Sequence, residues 1–166
     1  RFAEDCRDRV DAIALTGVTS PANPDHELRA AAIVREVLGE DFPVTMGHEV
    51  GGLGLLEREN SAILNGALRF VGEGIVAGLE QALAAHDLEA GIYLTQNDGT
   101  LLSAAEAMRR PILTIGSGPT NSMRGAAYLS GLSDAIVMDV GGTSADVGLL
   151  VDGFPRTSAL AVEIGG

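Results

Sequence analysis

Lysine and tryptophan are absent from this sequence, and cysteine occurs once. Without lysine the chain can form no Schiff base and cannot grip phosphate as the lysine of a P-loop does. A single thiol, Cys6, excludes an internal disulfide, and no basic start followed by an apolar run marks a secretory signal. A reducing, cytoplasmic setting is the expectation. The three histidines, His26, His48 and His86, lie far apart with no metal-ligand spacing among them, which argues against a structural zinc site. Basic residues are scarce as well, 11 against 23 acidic ones, for a formal net charge of −12. A phosphate backbone or an anionic lipid surface is therefore a poor partner. Arg69, Glu73 and Glu80 interrupt the longest apolar pattern, so the sequence predicts no membrane span. Aromatics make up only 4% of the 166 residues, while 46% are hydrophobic. Any core must be aliphatic and packed, as in a folded domain.

Strands and helices alternate along the chain, the pattern of an α/β fold with a largely parallel sheet. Ala12 to Val18 and Phe42 to Met46 read as short strands. Between them Asn23, as N-cap, and Pro24, at the first helical position, open a helix that Gly39 ends. From Arg58 to about Ala85, Leu64, Leu68, Val71, Ile75, Leu79 and Leu83 recur at helical spacing and predict one buried stripe. Gly66, Gly72, Gly74 and Gly78 on that helix predict close approach of another backbone. Gly91 to Thr95 and Ile112 to Ile115 read as strands. A short helix opening at Ser103 lies between them, and a longer one from the Gly116 turn to Gly131 follows. Ile136 to Val140, then Val147, Leu149 and Val151, predict a β-meander that turns again at Asp152-Gly153 and runs into Phe154 to Thr157.

The constellation with most chemical content is Asp139-Val140-Gly141-Gly142-Thr143-Ser144-Ala145-Asp146. Two glycines in a tight turn leave backbone N–H groups open to an anion, and the hydroxyls of Thr143 and Ser144 add donors. The flanking aspartates suit a hydrated divalent cation. Carboxylates repel a bare phosphate, so the set makes sense for phosphate with magnesium between them. A plain hairpin whose aspartates cap their own turn uses the same residues. Asn97-Asp98-Gly99 follows a strand and either faces a substrate or forms a local turn. His48-Glu49 is either an acid/base pair or a turn feature, and Arg124 either approaches phosphate or pairs with acids.

The run from Gly116-Ser117-Gly118-Pro119 to Tyr128-Leu129, followed by Ala135 to Leu150, resembles the interlobe helix and second phosphate loop of actin-like ATPases. More narrowly, it is similar to the hydantoinase A/5-oxoprolinase family. Further matching blocks are Ser20-Pro21-Ala22-Asn23-Pro24-Asp25-His26-Glu27, Gly47-His48-Glu49-Val50, Glu57-Arg58-Glu59-Asn60-Ser61 and Gln96-Asn97-Asp98-Gly99-Thr100-Leu101-Leu102-Ser103. The resemblance implies a layered α/β/α, ribonuclease H-like fold present in part: residues 1–131 ending one lobe with its interlobe helix, and 132–166 beginning the second. It implies ATP and Mg2+ as cofactors and a cyclic amide such as hydantoin or 5-oxoproline as substrate. A second hydantoinase-type subunit is an implied partner. Asp139 would be the catalytic residue and, with Asp146, the metal holder, while Gly141, Gly142, Thr143 and Ser144 would touch the phosphates. Asn97 and Asp98 would be nearest the substrate. Ala145 departs from the family, whose members often carry threonine there. The first phosphate loop and the adenosine-binding glycines are missing, so the chain is expected to be a fragment that hydrolyses no ATP alone. A small-molecule kinase and a non-catalytic nucleotide switch are alternatives on the same fold.

Overall fold

In a computed structural model, residues 1–156 are described, and they fall into two compact units. The first comprises Arg1–Ala90 and Ala105–Leu113, and the second comprises Gly91–Ala104 and the chain from Thr114 onward. Thr157, the last residue expected in the meander, lies outside the described residues.

The first unit is built on a strand–helix–strand crossover. β1 (Ile13–Leu15) pairs in parallel with β2 (Val44–Met46), and α2 (Asp25–Leu38) connects them. Asn23 Oδ1 accepts the Asp25 N–H at 2.9 Å, though Pro24 is the N-cap residue, one position later than the sequence suggests. Gly39 ends the helix at φ 120°, a conformation that suits glycine, and donates its N–H to Arg35 O. Ala31 and Val34 of α2 pack with Ile13, Val44, Met46 and Ala3 of α1 (Phe2–Cys6) into an aliphatic core that Cys6 and Phe42 flank. α3 (Gly47–Val50) follows β2 directly, and α4 (Leu55–Ala85) packs against β1, β2 and α3.

The stripe expected on α4 is buried only in part, with Leu64, Leu68 and Leu83 half-buried. The buried residues of the helix are Arg58, Ala62, Asn65, Gly66 and Val76, while Val71, Ile75 and Leu79 are 57%, 53% and 43% exposed. Arg58 and Asn65 face inward because they close the hydrogen bonds of neighbouring loops, a demand that apolar periodicity does not register. Close approach holds at Gly72, where a Cβ would come within 3.2 Å of Pro111, whereas Gly74 and Gly78 face open space. Arg69, Glu73 and Glu80 lie within this helix and were expected to exclude a membrane span. An 18-residue window of α4 reaches a mean hydropathy of 1.3, so by length and composition it could cross a membrane, a criterion that core helices of soluble proteins also meet.

The second unit carries two antiparallel arrangements. β3 (Tyr93–Thr95) and β4 (Leu101–Ser103) form a hairpin, and β5 (Ala135–Val140), β6 (Ala145–Val151) and β7 (Phe154–Pro155) form the expected meander. The sheet is thus not largely parallel: β1–β2 is the one parallel pair among the described residues. α5 (Ala104–Arg109) leads to a 3-10 turn at Pro111–Thr114, where a strand was expected. Proline fits the first position of a helical turn, and Leu113 N–H closes that turn onto Arg110 O at 3.1 Å. α6 (Ser117–Ser130) runs between Gly116 and Gly131, both left-handed, and packs on the meander in the same unit.

Candidate functional site

Strand alternation sets the site. Val137 and Asp139 of β5, with Asp146 and Gly148 of β6, line a cavity of about 100 Å³ together with Pro119 and Met123 of α6. Ile136, Met138 and Val140 point to the opposite face and are 73%, 64% and 70% exposed. Gly148 permits this packing: a Cβ there would lie 2.1 Å from the Met123 sulfur.

Asp139 and Asp146 are direct cross-strand partners in the β5–β6 register. Like charges placed opposite each other cost stability, and a cation between them reverses the sign. One oxygen of Asp139 accepts the Ser122 hydroxyl at 2.6 Å, which fixes the carboxylate from α6. Among the described residues no group of three or more His, Cys, Asp or Glu side chains could cage a metal. Two carboxylates beside a cavity with room for about three waters nevertheless fit magnesium, which keeps part of its water shell and shares phosphate oxygens.

The loop Gly141–Ser144 closes the hairpin through Gly141 N–H to Ser144 O at 2.9 Å. The N–H groups of Gly142, Thr143 and Ser144 have no acceptor among the described residues, and all four loop residues are exposed. Neither glycine adopts positive φ, and a Cβ at Gly142 would meet nothing within 4 Å. The hairpin itself does not require glycine at 142, and its open surroundings leave room for close approach from outside. These free donors next to a carboxylate pair fit a phosphate chain with its magnesium.

Asn97 and Asp98 sit exposed at the tip of the β3–β4 hairpin and do not line the Asp139 cavity. Asp98 Oδ1 accepts both the N–H and the hydroxyl of Thr100, at 2.8 and 2.7 Å, and Asn97 O accepts the Thr120 hydroxyl at 3.0 Å. The tip is pinned to α6, with Gly99 at φ 87° crowded by Pro155, Thr120 and Arg124. Arg124 reaches neither a phosphate loop nor an acid: its guanidinium lies 4.2 Å from the centre of the Phe154 ring and donates to Gly153 O.

Sequence reasoning missed a second polar centre, in the first unit. His48 pairs with Glu27 rather than Glu49, Nδ1 to Oε2 at 2.6 Å. Glu27, only 3% exposed, also accepts the N–H groups of Gly17 at 2.7 Å and His48 at 3.1 Å. Burial pushes its pKa up, but hydrogen bonds from Ser20, Gly17 and His48 outweigh that and hold it at about 2. Beside it Arg58, with no exposed surface, donates to the carbonyls of Gly17, Val18, Gly52, Leu53 and Gly54. Glu27 looks from sequence like an ordinary first-turn acid, and Arg58, between two glutamates, like a solvated cation.

Residues 58–164 match the hydantoinase/oxoprolinase family. The acetophenone carboxylase gamma subunit of Aromatoleum aromaticum is 30% identical over 87% of this chain and 21% of its own length. The caprolactamase subunit alpha of Pseudomonas jessenii is 29% identical over 85% of this chain and 21% of its own. A nucleotide-free structure of acetone carboxylase, solved in work on ATP-dependent acetone carboxylation, superposes with a TM-score of 0.62 and 26% identity. That match covers 91% of this chain and 23% of the other. The chain thus spans about a fifth of the length of these relatives. With this match over more than half its residues and an actin-like α/β architecture present in part, the chain belongs to the hydantoinase/oxoprolinase family.

Proposed function

We propose that this chain is the central part of an ATP-dependent enzyme that opens a cyclic amide. The observation that carries the reading is the cross-strand Asp139–Asp146 pair beside a loop with three uncommitted backbone donors. Bound ATP with magnesium would supply a phosphoryl group to the amide carbonyl oxygen, turning a poor electrophile into one that water attacks. Asp139, held by Ser122, would orient the metal's water shell or the attacking water. Asp146 would share the cation, and Gly141 to Ser144 would hold phosphate oxygens through N–H and hydroxyl donors. The phosphoryl transfer would leave ADP, and after water adds, loss of inorganic phosphate and cleavage of the C–N bond would leave a carboxylate and an amine.

A second reading, an ATP-dependent carboxylase of a ketone, is favoured by the acetophenone carboxylase relative and the acetone carboxylase structure. Both reactions begin at a carbonyl oxygen, so the same phosphate site serves either. The curated relatives are named as subunits, which supports a partner subunit here, and the lone Cys6 suits the cytoplasm. ATP turnover by the full-length protein with its partner separates the readings. Stimulation by caprolactam, hydantoin or 5-oxoproline supports the hydrolase. Stimulation only by a ketone with bicarbonate supports the carboxylase.

A further inference from the structure

A cavity of about 250 Å³ in the first unit is not part of the phosphate site. It lies where the C-terminal end of α2, the α2–β2 loop, α3 and the end of α5 meet α4, and its charge content is unusual for this chain. Of only 11 basic residues, all arginine, four line it: Arg35, Arg69, Arg109 and Arg110. Arg69 is neutralised by Glu73 at 3.0 Å, and Arg109 and Arg110 share the single carboxylate of Glu106. Arg35 has no ion-pair partner among the described residues, so the arginines that line the cavity carry surplus positive charge. Glu40, Asp41 and Glu49 also line the cavity and likewise have no cationic partner among the described residues.

The arrangement is held from below by Asn65, which is 1% exposed. Its Nδ2 donates to Thr45 Oγ1 at 2.9 Å and to Arg109 O at 3.0 Å, and its Oδ1 accepts the Ile112 N–H at 3.2 Å. This buried amide ties the Arg109–Arg110 backbone to β2, so the arginines sit on a fixed frame rather than a free loop. A cavity offering unneutralised guanidinium and carboxylate groups together suits neither a simple anion nor a simple cation. Each would gain from one set of charges and be repelled by the other. A molecule with a carboxylate and an ammonium on a short apolar spacer satisfies both, since guanidinium forks match carboxylates and acids take ammonium.

We propose that this cavity binds a small amino-carboxylate, its carboxylate taken by the arginines that line it, Arg35, Arg109 and Arg110, and its ammonium by Glu40, Asp41 and Glu49. The charge pattern stands by itself, while the link to reaction chemistry rests on the ring-opening reading: opening a lactam yields a molecule of this class. The test is calorimetric titration of the full-length protein, without nucleotide, with 6-aminohexanoate and glutamate, beside hexanoate, hexylamine and phosphate. Binding of an amino-carboxylate at least ten-fold tighter than the single-charge compounds is expected, with at least ten-fold loss in both Arg35→Gln and Glu49→Gln. Phosphate or hexanoate binding as tightly, no binding of either amino-carboxylate up to 10-millimolar order, or unchanged affinity in both variants would overturn it. Amide-stimulated ATP turnover is measured on the same preparation. Turnover without amino-carboxylate binding sinks this inference alone, and binding without amide stimulation sinks the ring-opening reading alone.

Discussion

Replacing Glu27 by glutamine tests whether a buried carboxylate organises the first unit. Its pKa is held at about 2, against 4.5 for an ordinary glutamate, by donors from two places in the chain: the β1–α2 loop (Gly17, Ser20) and His48 of α3, through both its N–H and its ring. A depressed folded pKa contributes stability that is complete above pH 4.5 and is lost as pH falls from there toward 2. At ~1.4 kcal/mol per unit, that gap amounts to about 3 kcal/mol. Glutamine keeps the shape but loses the charge, and its NH2 would have to face N–H donors if its oxygen stays on Gly17. Urea unfolding at pH 7 should show Glu27→Gln weaker by about 3 kcal/mol, with its stability falling less between pH 5 and 2 than that of the unmutated protein. Hydrogen exchange gives a direct local reading. The Gly17 and His48 amides, which donate to this carboxylate, should lose about 100-fold protection. A variant within about 0.5 kcal/mol of the original, or one with the same acid limb and the same amide protection, would refute the reasoning.

Other outcomes follow from the same contacts. Arg58→Lys should cost about 3 kcal/mol or more in thermal or urea unfolding, because one ammonium cannot reach the five carbonyls that the guanidinium fork serves; a melt indistinguishable from the original would contradict this. Ser122→Ala removes the 2.6 Å donor to Asp139 and should lower kcat by about 10-fold with little change in KM for ATP, a split that steady-state kinetics reads. Gly142→Ala points its methyl into open space, so it should leave unfolding within about 0.5 kcal/mol of the original. ATP affinity should nevertheless weaken, which a nucleotide titration measures.

The second unit was more legible in the sequence than the first. Gly116 and Gly131 bracket α6 as expected, and the alternation of Ile136 to Val151 carries through to the β5–β6 register that sets Asp139 opposite Asp146. These features depend on local chemistry, positive φ at helix ends and a two-residue period, which a sequence displays directly. At 112–115 the sequence read as a strand, but Ile-Leu-Thr-Ile after a proline suits a helical turn as well, and the turn is what forms. α4 was misread in a more informative way. Its period is visible, but its inward face is chosen by Arg58 and Asn65, which satisfy backbone groups in loops up to 47 residues away in sequence. Side chains recruited by distant carbonyls leave no periodic trace, and the same holds for Glu27, whose partners lie 10 residues upstream and 21 residues downstream of it in the chain. The apolar residues left outside on α4 and on the far face of β5 and β6 belong to a chain that spans about a fifth of its relatives' length.

The central claim is that the Asp139–Asp146 pair and its loop form the working half of an ATP site. Phosphate release by the full-length protein, with ATP, magnesium and whichever carbonyl substrate stimulates turnover, tests it most directly when Asp139→Asn is measured beside the original. The variant keeps an oxygen for Ser122 and removes only the charge. The account predicts at least a 100-fold loss of turnover with hydrogen exchange across β5 and β6 unchanged. Turnover within about three-fold of the original would contradict it.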